Sequence, residues 1–205
     1  MSQLAYLHPS DQENEETIAM TNPARSPKPS IDDYLIAEDG ADIRHEYIDG
    51  ELYAMTGASD RHGLIVGNVY AQLRPLLRGT PCQLFANDMK VRLRIQKQDL
   101  FYYPDLLLSC DPHDRETYYR AQPCLLVEVL SDSTARIDRR EKLWAYRTIP
   151  SLREYLLISQ TAREVETYRR ADGWAQEIVT QGSVRIECLD IELALDTIYE
   201  DVPAL

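Results

Sequence analysis

Apolar residues change their spacing several times along this chain, and each change predicts an element. Between Asp60 and Gly79, Leu64, Ile65, Val69, Leu73, Leu76 and Leu77 recur three or four residues apart, the period of a helix with one buried face. Pro75 bends its last turn and Gly79 stops it. A shorter helix is predicted in SIDDYLIAEDG, where Ser30 and Asp33 have the spacing of a capping pair and Gly40 closes the segment. A third lies in STARIDRREKLWAYRTI, halted by Pro150.

Period-two runs mark strands. IRHEYIDGELYAMTG reads as a hairpin about Asp49-Gly50, and EVETYRRADGWAQEIV as another about Asp172-Gly173. In MKVRLRI, Met89, Val91, Leu93 and Ile95 share one face and Lys90, Arg92 and Arg94 the other, which predicts a strand with one wet side. CQLFAN is a further strand, and LREYLLIS one near the centre of the sheet. YPDLLLSC and CLLVEVLS do not alternate, so both of their faces should be covered by helices or neighbouring layers. This order of elements implies an α+β fold with a mixed central sheet flanked by helices and an N-terminal hairpin.

Residues 1–29 are polar, acidic at first and then proline-rich, and read as a flexible arm before one domain over 30–205. A length of 205 residues at 44% hydrophobic suits one well-filled core. No segment has the length and apolarity of a membrane span or the pattern of a signal peptide, which predicts a cytoplasmic protein. The formal net charge of -12 argues against a phosphate-rich partner until its distribution is considered. Residues 1–60 carry 13 acidic and 3 basic side chains, whereas 61–100 carry 7 basic and 2 acidic. A local basic face is therefore compatible with nucleic acid. Cys82, Cys110, Cys124 and Cys188 stand far apart without a C-x-x-C pair, which predicts reduced, buried thiols in preference to disulfides or a zinc site.

The chemistry gathers on two acids in apolar runs. Glu128 sits among Leu126, Val127, Val129 and Leu130, and Asp105 opens a run of leucines directly after Pro104. A buried carboxylate without a partner shifts its pKa upward or finds a compensating cation. If the two strands are neighbours, both acids project into one cleft, where oxygen ligands favour Mg²⁺ or Mn²⁺. Lys142 lies seven residues beyond Ala135, about 10 Å along a helix, and Glu128 lies about 10 Å before the strand's end at Ser131. The lysine is thus level with Glu128. Two acids and a lysine around a divalent cation form a plausible phosphodiester-cleaving site, with the lysine orienting a water or stabilising developing charge.

Each residue also has a structural reading. Glu128 could pair with Arg92 or Arg94, Asp105 could cap a strand, and Lys142 could make an ordinary i, i+4 pair with Asp138. His62 stands at a helix N-terminus, and Glu46 and Glu51 read as hairpin acids.

HEYIDGELYAMTG, YPDLLLSCDP, PCLLVEVLSDST and DRREKLWAYRTIPSLREYLLIS, in this order, resemble the Uma2 endonuclease family (DUF820), common in cyanobacteria and part of the PD-(D/E)XK nuclease superfamily. The resemblance spans about residues 30–195 and implies a restriction-endonuclease-like core. It makes Asp105 and Glu128 the metal-holding acids and Lys142 the catalytic lysine, displaced from the superfamily's E-x-K position, which is Leu130 here. Glu46 and His62 are candidates for a further supporting residue. The implied activity is Mg²⁺- or Mn²⁺-dependent cleavage, with DNA as the partner and a homodimer as the assembly. The alternative is a nuclease fold that binds nucleic acid or protein without turnover.

Overall fold

The computed structural model describes residues 28–55, 57–131 and 134–203. The predicted arm falls largely on residues 1–27, outside the described residues. Helix α1 (Ile31–Glu38) opens with the expected capping box: Ser30 Oγ accepts from the Asp33 amide and the Asp33 carboxylate accepts from Ser30. Strands β1 (His45–Ile48) and β2 (Glu51–Ala54) form the Asp49-Gly50 hairpin, with both turn residues at positive φ, 49° and 87°. Helix α2 (Asp60–Leu76) starts at Ser59, whose side chain accepts from the His62 amide, and contains Pro75 in its final turn.

Strand β3 (Gln83–Ala86) is followed by β4 (Lys90–Ile95) and by β5 (Gln98–Tyr102), which the hydrophobic pattern did not separate from the next strand. Then come β6 (Leu106–Ser109), β7 (Tyr119–Arg120) and β8 (Pro123–Leu130). One continuous helical stretch follows: α3 (Ala135–Ile137), a π-helical turn (Asp138–Lys142) and α4 (Leu143–Tyr146). The chain ends in β9 (Glu154–Ser159), β10 (Val165–Arg169), β11 (Gln176–Val179), β12 (Ser183–Ile186), β13 (Ile191–Ala194) and α5 (Leu195–Ile198).

These strands build a mixed six-stranded sheet, β11-β10-β9-β8-β6-β3, in which β8 and β9 are parallel and the other neighbours antiparallel. A second sheet has the order β2-β1-β5-β4-β7. The N-terminal hairpin is therefore the edge of this second sheet, because β1 pairs with β5. Both faces of the central strands are covered, as their unbroken apolar runs require. Leu125, Val127 and Val129 pack with Ile65, Val69 and Leu73 of α2, while Leu126 and Leu130 pack with Tyr146 and Leu157 on the other side. Tyr146 meets the edges of Tyr102 and Tyr155, contacts each contributing about 0.5–1.5 kcal/mol, and this fixes α4 on the sheet.

Two expectations require correction. The polar side of β4 is not uniformly wet: Lys90 is 5% exposed, with its ammonium 5.0 Å from the Tyr103 ring centre and under 6 Å from those of Tyr34 and Tyr118. The cysteines are not separate thiols, since Cys82 is bonded to Cys110 and Cys124 to Cys188. Pairing of β3, β6 and β8 brings together residues that sequence spacing keeps apart. Among the described residues, no helix is long and apolar enough to cross a membrane.

Candidate active site

Register places the two acids. β6 and β8 are antiparallel, with Leu106 opposite Val127, so one further step sets Asp105 beside Glu128 at the opening end of β6. Asp105 Oδ2 accepts from the Val129 amide at 2.6 Å and lies 3.1 Å from His62 Nε2. His62 reaches it from the first turn of α2. The helix-start reading and the site reading of this histidine thus describe one placement.

Glu128 is 4% exposed, and its Oε1 accepts from both Lys142 Nζ and Tyr146 Oη at 3.1 Å. Lys142 also lies 3.1 Å from Glu46 Oε1 and 3.4 Å from Asp138 Oδ1. Glu46 comes from β1 and is held in turn by the Tyr103 amide at 3.2 Å. A widened helical turn of the kind seen from Asp138 to Lys142 is frequent at functional sites, and here it presents its lysine to acids from two sheets.

Negative charge exceeds positive at this point. Glu46, Glu128 and Asp138 share one ammonium, and Asp105 stands alongside with His62. Burial pushes the Glu128 carboxyl well above the ordinary carboxylate range; Lys142 opposes the shift, while Asp138, Asp105 and Glu46 add to it. Burial also raises Asp138, against the pull of Lys142 and Thr134. For Lys142, burial works toward the neutral amine, but attraction to Glu128, Glu46 and Asp138 outweighs it and holds the ammonium well above the usual lysine range. Asp138 Oδ1 makes its ion pair but no hydrogen bond, although it is buried.

This donor set fits a hard divalent cation. The ligands available are carboxylate oxygens, and the charge excess is of the sign that a cation removes.

All five sequence candidates, Asp105, Glu128, Lys142, Glu46 and His62, converge here. Glu46 is more than a hairpin acid, because its carboxylate reaches the lysine. Asp138 is the i, i+4 partner foreseen for Lys142, yet the pair is buried and belongs to the cluster. Arg92 and Arg94 are not partners of Glu128; both bond to Asp99. Tyr146 and the Tyr103 amide were not foreseen. Only the spacing from Lys142 to Tyr146, again i, i+4, could have pointed to the tyrosine.

Comparison with known proteins bears on the family and the fold. The profile of the family Uma2, described as "Putative restriction endonuclease", matches residues 31–197. An uncharacterized protein of Synechocystis, slr1290, is 38% identical over 186 residues, covering 89% of this chain and 97% of its own length. A second Synechocystis protein, sll1609, also uncharacterized, is 37% identical over 102 residues, covering 48% of this chain and 56% of its own. A crystal structure from Anabaena variabilis, described as "a putative nuclease belonging to DUF820", superposes with a TM-score of 0.65 at 14% identity. That superposition covers 83% of this chain and 97% of the other, and shows a shared fold.

Proposed function

From the premise that the chain belongs to the Uma2 family, we propose that it is a nuclease that hydrolyses phosphodiester bonds of DNA with Mg²⁺ or Mn²⁺. The observation that carries this reading is the excess of buried carboxylate around Lys142, beside Asp105. A purely structural network would bring its charges nearer to balance.

In this reading Asp105 and Glu128 hold the cation. When bound, the ion supplies Lewis acidity toward the scissile phosphate and lowers the pKa of water. The rest is the work of the chain. The Val129 amide and His62 fix the orientation of Asp105, and the Tyr146 hydroxyl and Lys142 fix that of Glu128. Lys142, kept fully protonated by its acids, places positive charge where negative charge develops on the phosphate oxygens. Glu46 and Asp138 steer the lysine side chain. Burial of the cluster against Tyr102, Tyr146 and Leu157 keeps bulk water from screening these charges.

The test is cleavage of plasmid, single-stranded DNA, branched DNA and RNA with Mg²⁺ and with Mn²⁺, comparing wild type with Glu128→Gln. Metal-dependent cleavage of DNA that the substitution removes is the expected result, and cleavage retained by the variant sinks the assignment. A second reading, a nuclease fold that binds nucleic acid without turnover, is favoured by one observation: three carboxylates surround the buried Lys142 ammonium. Salt-dependent retention of DNA without cleavage in either metal would select it.

A further inference from the structure

At the end of the sheet away from Glu128, four chain segments bring four sulfurs together. Cys82 precedes β3, Cys110 follows β6, Cys124 lies in β8 and Cys188 lies between β12 and β13. Pairing of Gln83 with Ser109 puts Cys82 opposite Cys110 one step further on. Between β6 and β8 the register passes from Leu108–Leu125 to Ser109–Pro123, so Cys124 is the residue that the pairing skips. Such a bulge re-aims a side chain. Cys124 accordingly packs on the same side as its neighbour Leu125, with the other three cysteines, where strict alternation would turn it toward Leu126 on the opposite face.

Cys188 is also held in place. Glu154, fully buried in β9, accepts from the Glu187 amide at 3.1 Å and from the Cys188 amide at 2.9 Å. The result is that the sulfurs of Cys110, Cys124 and Cys188 all lie within 4.8 Å of one another, and Cys82 is joined to Cys110. In a tetrahedral zinc–thiolate site with bonds of about 2.3 Å, adjacent sulfurs are about 3.8 Å apart. The sulfurs of Cys110 and Cys124, which are not bonded to each other, are separated by 3.8 Å.

We propose that these four cysteines, in their reduced state, bind one zinc-class cation in a closed four-sulfur site, and that the two disulfides are its oxidised, metal-free form. Reduction of both disulfides takes four electrons and four protons, supplied by two equivalents of a dithiol reductant, and yields four thiols. Binding of the cation then releases the four thiol protons to solvent and leaves four metal–thiolate bonds. With four protein ligands the ion has no open position, so its role is structural. It ties the β12–β13 hairpin to the ends of β3, β6 and β8. Cys124 and Glu128 are four residues apart on one strand, about 13 Å, which separates this ion from the proposed site of cleavage. The soft sulfur set also separates the two sites by ligand chemistry, since Mg²⁺ and Mn²⁺ prefer oxygen.

The test uses the full chain purified anaerobically with a dithiol reductant and dialysed against limiting Zn²⁺ or Co²⁺. Expected are one zinc per chain by plasma mass spectrometry, the intense thiolate-to-cobalt charge-transfer band in the Co²⁺ form, and four thiols that react rapidly only after a chelator is added. Cys188→Ser should lose the zinc and the band, while Glu128→Gln keeps both. The wild-type cobalt spectrum stands as evidence even if the serine variant folds poorly. Reduced protein that binds no zinc overturns the proposal, as do disulfides that persist in the dithiol and zinc that Cys188→Ser binds as well as wild type does.

Discussion

Two buried glutamates on the same sheet meet opposite fates. Glu166 on β10 is 2% exposed; its Oε1 accepts from Arg139, and its Oε2 accepts from Tyr168 at 2.8 Å and Gln176 at 2.7 Å. Burial works to raise its pKa, but the bonds from Arg139, Tyr168 and Gln176 outweigh it and hold the carboxyl below the usual range. Glu128 has a tyrosine and a cation too, yet it shares that cation with Glu46 and Asp138 and its carboxyl is pushed up. Both cations, Arg139 and Lys142, come from one π-helical turn. The difference is one of stoichiometry. An acid with its own cation and further donors is stabilised as it stands, whereas three acids around one ammonium are stabilised by a further positive charge.

The contrast is broken most directly by glutamine substitution. Glu128→Gln should lower metal-dependent cleavage by about 10²–10³-fold, while Glu166→Gln should leave it within a factor of a few; initial rates on plasmid DNA decide between them. Next in size is Lys142→Met. It leaves the buried acids with no cation, and in chelator the loss should be about 3–5 kcal/mol by urea unfolding. Glu128→Gln should cost far less under the same conditions. His62→Ala removes the group that orients Asp105 and should weaken cation affinity by about 10–100-fold, read by calorimetry with Mn²⁺. Glu166→Gln gives up charge-assisted bonds and should destabilise by about 1–3 kcal/mol.

The smallest effect lies in the pH dependence of stability, and its sign differs between the two acids. The folded pKa of Glu166 lies below its unfolded value, so its contribution is present above the unfolded pKa, near 4.5, and is lost as pH falls through the folded one. Glu166→Gln should therefore flatten the loss of stability in acid. The folded pKa of Glu128 lies above its unfolded value, so its contribution is full below the unfolded pKa and is lost as pH rises through the folded one. Metal-free Glu128→Gln should flatten the decline on the alkaline side of the carboxylate range. Unfolding midpoints measured across pH in chelator separate the two.

The features legible in the sequence are those fixed by short-range physics. Asp49-Gly50 and Asp172-Gly173 set hairpins, Ser30 and Asp33 set a cap, and unbroken apolar runs set the doubly covered strands. Lys142 could be placed level with Glu128 because rise per residue is known for both helix and strand. β5 was missed because the turn before it places Gln96, an ordinary turn-neutral residue, at a φ of 58° without a glycine to mark it. Glu46 and the cysteines depend on which strands become neighbours. Pairing of β1 with β5 sets the acid near Lys142, and pairing of β3, β6 and β8 gathers three of the sulfurs, neither of which spacing along the chain encodes.

The central claim is that the under-neutralised carboxylates around Lys142 hold a divalent cation. Its most direct test is Mn²⁺ binding followed by electron paramagnetic resonance in wild type, Glu128→Gln and Glu166→Gln. The account predicts one bound Mn²⁺ in wild type and in Glu166→Gln, and little in Glu128→Gln. Equal binding by all three proteins, or none by wild type, would contradict it.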